Sequence, residues 1–337
     1  CPLHAQCGTG CGGWAGTVGG FVGLGRVNDG VVRRVLEADS RQEYTLDTDA
    51  TVIESEKEEA QWTYRKEKGY QPLVGFLFEA GLVLHDEFRD GNVPAGAGAV
   101  PFLKGCRQRM PRGKRIGYVR SDSAFYQAGV FNWCEDKDDR VLFTITADKD
   151  KAVKEVIKTI REWRVFRGDR EIGETVHTMN DTLEAFRLVV QRWPKRQLEL
   201  FDPDPYEYRA IATNREEEAK EVVDLHNQRG EAENYFKELK AGFGMEWMPC
   251  GESYANAVFF RLGVLAYNLF LALKILGLPT EWRSYTIGTV RWRLYQVACR
   301  VVHHARRVVL KMATTIEKVA LIRGVRRRCL EVAYNTS

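Results

Sequence analysis

The order of apolar runs between residues 44 and 147 narrows the fold of this 337-residue chain more than any other feature. Three strand-like runs come in quick succession, at 44–53, 73–79 and 82–88, the last two joined at Ala80-Gly81 in the manner of a hairpin. A Gly/Pro-rich loop at 91–98 leads to a helical pattern at 100–109. A short strand at 115–120, a helix at 123–134 and the apolar run "VLFTITA" at 141–147, which reads as a buried strand, complete the series. This succession predicts a mixed α/β sheet covered by helices. Weak helical periodicity precedes it at 27–38, and a helix follows at 150–162. Strand-like runs at 170–177, 185–193 and 207–212 then form a β-rich block, and from residue 216 the chain reads as mostly helical.

An apolar fraction of 44% and a charged fraction of 28% are those of a soluble globular protein with a real core. The most apolar segment, 254–276, is nearly long enough to span a bilayer, but Asn256, Arg261, Asn268 and Lys274 interrupt it. It is therefore expected to be a buried core helix, with no membrane partner. The formal net charge of +4 hides a segregation: from Trp282 onward there are twelve Lys/Arg against two acids, which leaves the preceding part net acidic. A polyanion is the expected partner of the basic end. Eight cysteines without an even framework point to reduced thiols. The cluster Cys1, Cys7 and Cys11 with His4 fits no zinc spacing.

Carboxylates carry the chemistry. In "TLDTDAT", Asp47 and Asp49 stand two residues apart on a strand and so share a face, which is either exposed or neutralised by a cation. Asp122 follows the 115–120 strand, where it suits either a ligand-bearing strand end or the cap of the next helix. The helical stretch "HNQRGEAENYFKELK" sets Arg229 and Glu233 about 40° apart, and Lys240 returns to nearly the angle of Glu233. Alone it reads as a solvated face with i,i+4 pairs. Two strand-borne aspartates and one helix-borne glutamate nevertheless form a set suited to hard divalent cations, with arginine and lysine placed to hold phosphate.

These residues resemble the DDE transposases of bacterial insertion sequences, closest to the insertion sequence 1380 family, transposase DDE domain group 1. The group's Y-(2)-R-(3)-E-(6)-K signature reads here His226-(2)-Arg229-(3)-Glu233-(6)-Lys240, with histidine in place of tyrosine. Further matching stretches include "TLDTDATVIESEKEEAQWTY", "KGYQPLVGFLFEAGLVLHDEFRDGN", "VRSDSAFY" and "CGESYANAVFFRLGVLAYNLF", and the likeness runs over residues 26–325.

The resemblance implies a ribonuclease H-like mixed sheet flanked by helices, with an inserted β-rich module and a helical C-terminal part. It implies Asp49, Asp122 and Glu233 as catalytic and metal-binding residues, Asp49 being preferred over Asp47 because the family's first aspartate stands in a D-x-T context. Two Mg²⁺ or Mn²⁺ ions are the implied cofactors, and Arg229, Lys240, His226, Lys237 and Arg120 the implied DNA contacts. Transposon ends and target DNA are the expected partners of a homodimer acting in the cytoplasm on the nucleoid. The expected activity is cleavage at element ends followed by strand transfer; the alternative is a truncated remnant that only binds DNA. The expected domain plan is a non-native or disordered segment at 1–25, the first part of the core at 26–162, the insertion at 163–214, the core's completion at 215–280 and a basic helical region at 281–337. Trp62, Trp163 and Trp247 are expected to be packing residues rather than base-stacking ones, Arg89 part of a structural turn, Glu231 and Glu238 solvated, and His303 and His304 part of a basic helix.

Overall fold

The structure is a computed structural model that describes residues 15–197 and 204–334; Cys1, His4, Cys7 and Cys11 lie outside the described residues. After a long helix α1 (Ala15–Glu37), strand β1 (Glu43–Ala50) takes an inner position in a large mixed sheet. A small three-stranded ribbon follows, made of β2 (Ile53–Glu54), β3 (Gln61–Trp62) and β4 (Lys68–Tyr70). Next β5 (Leu73–Leu77) pairs antiparallel with β1, and β6 (Leu82–Glu87) pairs antiparallel with β5. The turn between them places Gly81 at φ 66°, a conformation open to glycine without the Cβ clash that other residues meet.

Helix α2 (Ala99–Arg109) leads into β7 (Arg115–Ser121), which runs parallel to β1 on its other side. Helix α3 (Ala128–Cys134) then leads into β8 (Leu142–Thr146), parallel to β7. The resulting order β6-β5-β1-β7-β8, antiparallel through the first three strands and parallel onward, is the ribonuclease H-like arrangement that the resemblance implies.

Helix α4 (Lys151–Lys158) precedes β9 (Arg164–Arg167), β10 (Arg170–His177), β11 (Phe186–Pro194) and β12 (Tyr206–Thr213). These four strands form an antiparallel extension joined to the core sheet through β12 and β8, so one sheet has nine strands. Its far part has a small apolar cluster of its own, in which Ile172, Val189 and Ile211 meet Ala219, Val222 and Val223 of α5 (Ala219–Asn227). The extension is thus the floor on which α5 rests.

Side-chain alternation sorts the two faces. On β5, Phe76 packs against Tyr235, Phe236 and Tyr267, which belong to α6 (Gly230–Lys237) and α7 (Ser253–Ala272). A Cβ on neighbouring Gly75 would instead meet Leu46, Phe102 and Cys106 on the α2 side. The sheet lies between these layers, with the main core on both faces.

The segment Ser253–Gly277 is long and apolar enough to cross a membrane, yet its interrupting polar residues are used inside the protein. Asn268 accepts from the N–H of Val83 at 2.9 Å and donates to its C=O at 2.7 Å. It thereby satisfies the open edge of β6 much as another strand would. Arg261 pairs with Asp86 at 2.7 Å. Gly263 is needed where α7 meets the segment that precedes it, since a Cβ there would stand 1.9 Å from the Met245 sulfur.

The chain beyond residue 281 departs from the expected helical region. A short helix α8 (Ile287–Val290) is followed by a hairpin, β13 (Cys299–His304) and β14 (Arg307–Met312), before the helix α9 (Ile316–Tyr334). His303 and His304 therefore lie on a strand, where the valine-rich runs on both sides of Ala305-Arg306 favour extended backbone.

Replacing Asn268 by leucine removes the side-chain acceptor of the Val83 N–H and leaves its C=O only the longer bond from Asn28, at 3.4 Å. Urea unfolding should show a loss of about 1–3 kcal/mol, and an unchanged midpoint would contradict the edge-capping role.

Candidate active site

Two rows of residues cross the sheet on the face covered by α5, α6 and α7. In the first, Phe76, Asp47, Arg120 and Thr144 stand in register on β5, β1, β7 and β8. Asp47 is buried and takes a bidentate pair from Arg120, Nε to Oδ1 at 2.7 Å and Nη2 to Oδ2 at 2.8 Å. The other terminal nitrogen of Arg120 donates to the C=O of Leu225 at 2.9 Å and to Gln228 Oε1 at 3.2 Å. Its guanidinium also lies 4.1 Å from the centre of the Phe78 ring. Arg120 is therefore wholly engaged inside the protein, tying β1 to the junction of α5 and α6. The expectation that it contacts DNA is corrected: Arg120 is 4% exposed.

The second row lies one pleat further along, where the strands end. Asp49 is on the last turnless stretch of β1, and Asp122 stands one residue beyond β7. β1 and β7 are parallel, so their carboxyl ends emerge at the same edge, the place where open α/β sheets present ligand-binding groups. Asp122 accepts from the N–H of Ala124 at 3.0 Å, so it does cap the following turn and still reaches solvent in part.

Glu233 comes from the third side. Rings of Tyr235 and Phe236 anchor α6 on Phe76, the Tyr235 hydroxyl donates to the C=O of Phe78 at 2.9 Å, and Glu233 points outward. Arg229 approaches Asp49 to 3.9 Å. The helix then opens into a π turn at Glu238–Gly242, a widening common near functional sites, and Lys240 donates to the C=O of Val52 at 2.8 Å. Burial, and then the Arg65 charge, lower the pKa of Lys240.

The electrostatics of Asp49 tie the set together. Its pKa is raised from 3.8 to about 6, first by burial, with Asp122 and Glu233 adding to the rise and Arg229 opposing it. Asp49 thus feels the charges of Asp122 and Glu233 at the edge of the sheet, while Asp47 is bound to Arg120. Hard oxygen donors carrying uncompensated charge fit a divalent cation by their chemistry. Among the described residues, no three His, Cys, Asp or Glu side chains converge closely enough to hold one.

His226, expected to touch DNA, is fully buried. Its Nδ1 lies 3.1 Å from the Thr144 hydroxyl and its Nε2 3.0 Å from that of Thr146. Burial, with Arg209 and Arg229 adding to it, drives its pKa down to about 3, so the ring is neutral and locks α5 onto β8. The two threonines were the signal in "LFTIT": at i and i+2 they share one face of a strand that is otherwise apolar. Lys237 and Glu231 are exposed, whereas Glu238 accepts from the N–H of Ile287 at 2.8 Å and is not solvated as expected. Arg89 is buried against Glu87 and the C=O of Ala95, as befits a structural turn. Trp163 stacks with Arg192, but Trp62 and Trp247 are 63% and 73% exposed and are not packing residues.

A family model, transposase DDE domain group 1, matches residues 23–331. The chain belongs to this family. Among solved structures, the chain is similar to the piggyBac transposase in a cryo-EM structure of its synaptic complex with hairpin DNA. The identity is 12% and the TM-score 0.47, over 68% of this chain and 46% of that one, so this DDE-domain chain spans under half the length of that relative. No curated protein matches it.

The raised pKa of Asp49 has a measurable cost. Its folded value lies above the unfolded 3.8, so ionisation near neutral pH weakens the fold and protonation relieves it. In metal-free buffer Asp49→Asn should be more stable than the parent by about 1–3 kcal/mol above about pH 6, a gain that fades as pH falls from about 6 to about 4 and is absent below that. Thermal unfolding across that range checks it, and a variant no more stable at the alkaline end would contradict the reading.

Proposed function

We propose that this chain is the catalytic domain of a DNA transposase that cuts at the ends of its element and joins them to target DNA. The observation that carries the proposal is the placement of Asp49 and Asp122 at the shared end of two parallel strands, beside the helix that bears Glu233 and with Arg229 3.9 Å from Asp49. These three would hold two divalent ions, Mg²⁺ or Mn²⁺. Bound there, such ions supply a more acidic attacking water or hydroxyl and stabilise the leaving oxygen at phosphorus. Arg229, beside Asp49, and Lys240, on the same side, hold backbone phosphate and offset its charge. The exposed Lys237 extends that contact. His226 has a different task, keeping α5 and hence α6 seated on the sheet. By the family resemblance, two copies act together on paired ends.

A second reading is that the chain binds DNA without cutting it. It is favoured by the absence, among the described residues, of three carboxylates drawn to ligand distance. Cleavage separates the two. With duplexes carrying the element's own ends, the parent should nick DNA when Mg²⁺ or Mn²⁺ is added, and Asp122→Asn and Glu233→Gln should each lose at least about 100-fold in rate with binding retained. Undiminished cutting by either variant would refute the triad; no cutting by the parent, with ordinary salt-sensitive binding, would establish the second reading.

A further inference from the structure

The hairpin β13–β14 stands apart from the sheet, and most of its residues are exposed. Two-stranded ribbons are marginal on their own, so what holds this one and what it meets both need an account. Pairing places Arg300 opposite Lys311, Val302 opposite Val309 and His304 opposite Arg307, all on one face. The opposite face is apolar apart from His303, and its base, with Cys299, Leu310 and Met312, lines a cavity of about 320 Å³ against Ile322 and Val325 of α9. The base of that face is thus turned toward the protein, although Val301, Val308 and Leu310 remain more than half exposed, and Arg300, His304, Arg307 and Lys311 of the other face are exposed as well.

That side is unopposed by any acid. No Asp or Glu occurs between Arg283 and Ile316, and among the described residues Arg300, Arg307 and Lys311 have no recorded carboxylate partner. The turn is made by Ala305 and Arg306, with φ of 49° and 60°, a left-handed pair that suits a tight hairpin but costs energy in residues other than glycine. It sets Arg306 at the tip.

We propose that this ribbon is a docking arm for duplex DNA, its cationic face laid against the major groove with the strands running across it and Arg306 at one rim. The dimensions agree. The groove is about 12 Å wide and admits a two-stranded β-ribbon, and the Arg300–Lys311 and His304–Arg307 pairs, four residues apart along each strand, are separated by about 13 Å. Cations so spaced reach the phosphates on the two rims. The inference rests on the DNA reading given above and adds to it a surface remote in sequence from the carboxylates.

The test is the triple variant Arg300→Gln, Arg307→Gln and Lys311→Gln, with binding to a duplex of about 30 base pairs followed by fluorescence anisotropy over a salt series in metal-free buffer. Three lost phosphate contacts should make the slope of log affinity against log salt shallower by about 2.7 and weaken binding at least about 10-fold near 100 mM salt. Circular dichroism checks that the exposed substitutions leave the fold intact, and Arg306→Gln alone should weaken binding less, in the same sense. A parent that binds duplex with a variant of unchanged slope overturns the ribbon proposal alone. A parent that binds no duplex at low salt overturns the DNA reading with it. Loss of binding to phosphatidylserine vesicles, with duplex binding unchanged, would assign the ribbon to a membrane surface and overturn the proposal.

Discussion

Asp47 and Arg120 form the contact on which the rest of the site depends. Both are buried, and each of the two carboxylate oxygens has its own guanidinium nitrogen. Burying such a pair costs desolvation that only good geometry and further hydrogen bonds repay, and removing one partner typically costs about 3–5 kcal/mol. Here the further bonds run to Leu225 and Gln228, at the foot of the helix that carries Arg229 and Glu233. The pair therefore fixes a relation between elements as much as it contributes stability: β1, β7 and the α5–α6 junction are registered against each other by one guanidinium. His226 makes the neighbouring tie, with both ring nitrogens used on β8.

The consequence is a division of labour along one strand. Asp47 and Asp49 share a face and stand two residues apart, but the first lies under the helices and the second at the edge. Charge at the inner position is matched by a guanidinium; charge at the outer one is met only by the longer contact to Arg229 and is raised in energy by Asp122 and Glu233. On the proposed reading, the charge left without a close partner at the outer position is what a cation would use, because pairing the carboxylates internally would leave nothing to bind. The nine-stranded sheet serves the same end, since its antiparallel extension seats α5 through Val222 and Val223.

Much of this was legible in the sequence where local pattern and tertiary position agree. The core strands and α2 show their alternation or apolar runs because they are buried between helices. What the sequence concealed were partnerships. Nothing local distinguishes Arg120, engaged with a strand partner 73 residues away, from an arginine free to meet phosphate. His226 sits in a signature whose other members face outward, and only the register of β8 reveals that Thr144 and Thr146 bracket its ring. Lys240 returned to the expected face by helical arithmetic, yet a π turn changes that count over its last residues. The C-terminal hairpin was hidden by composition, because a basic run with few turn residues reads as helix unless the β-branched valines are weighted above the charge.

The central claim is that carboxylates from two strand ends and one helix form a single cation site. Manganese binding, followed by electron paramagnetic resonance in the absence of DNA, tests it most directly. The account predicts that the parent binds Mn²⁺ and that Asp49→Asn, Asp122→Asn and Glu233→Gln each weaken it by about 10-fold or more, while the Arg120–Asp47 tie keeps all three variants folded. Binding by Glu233→Gln as tight as by the parent would show that the helix carboxylate is no part of the site, and would contradict it.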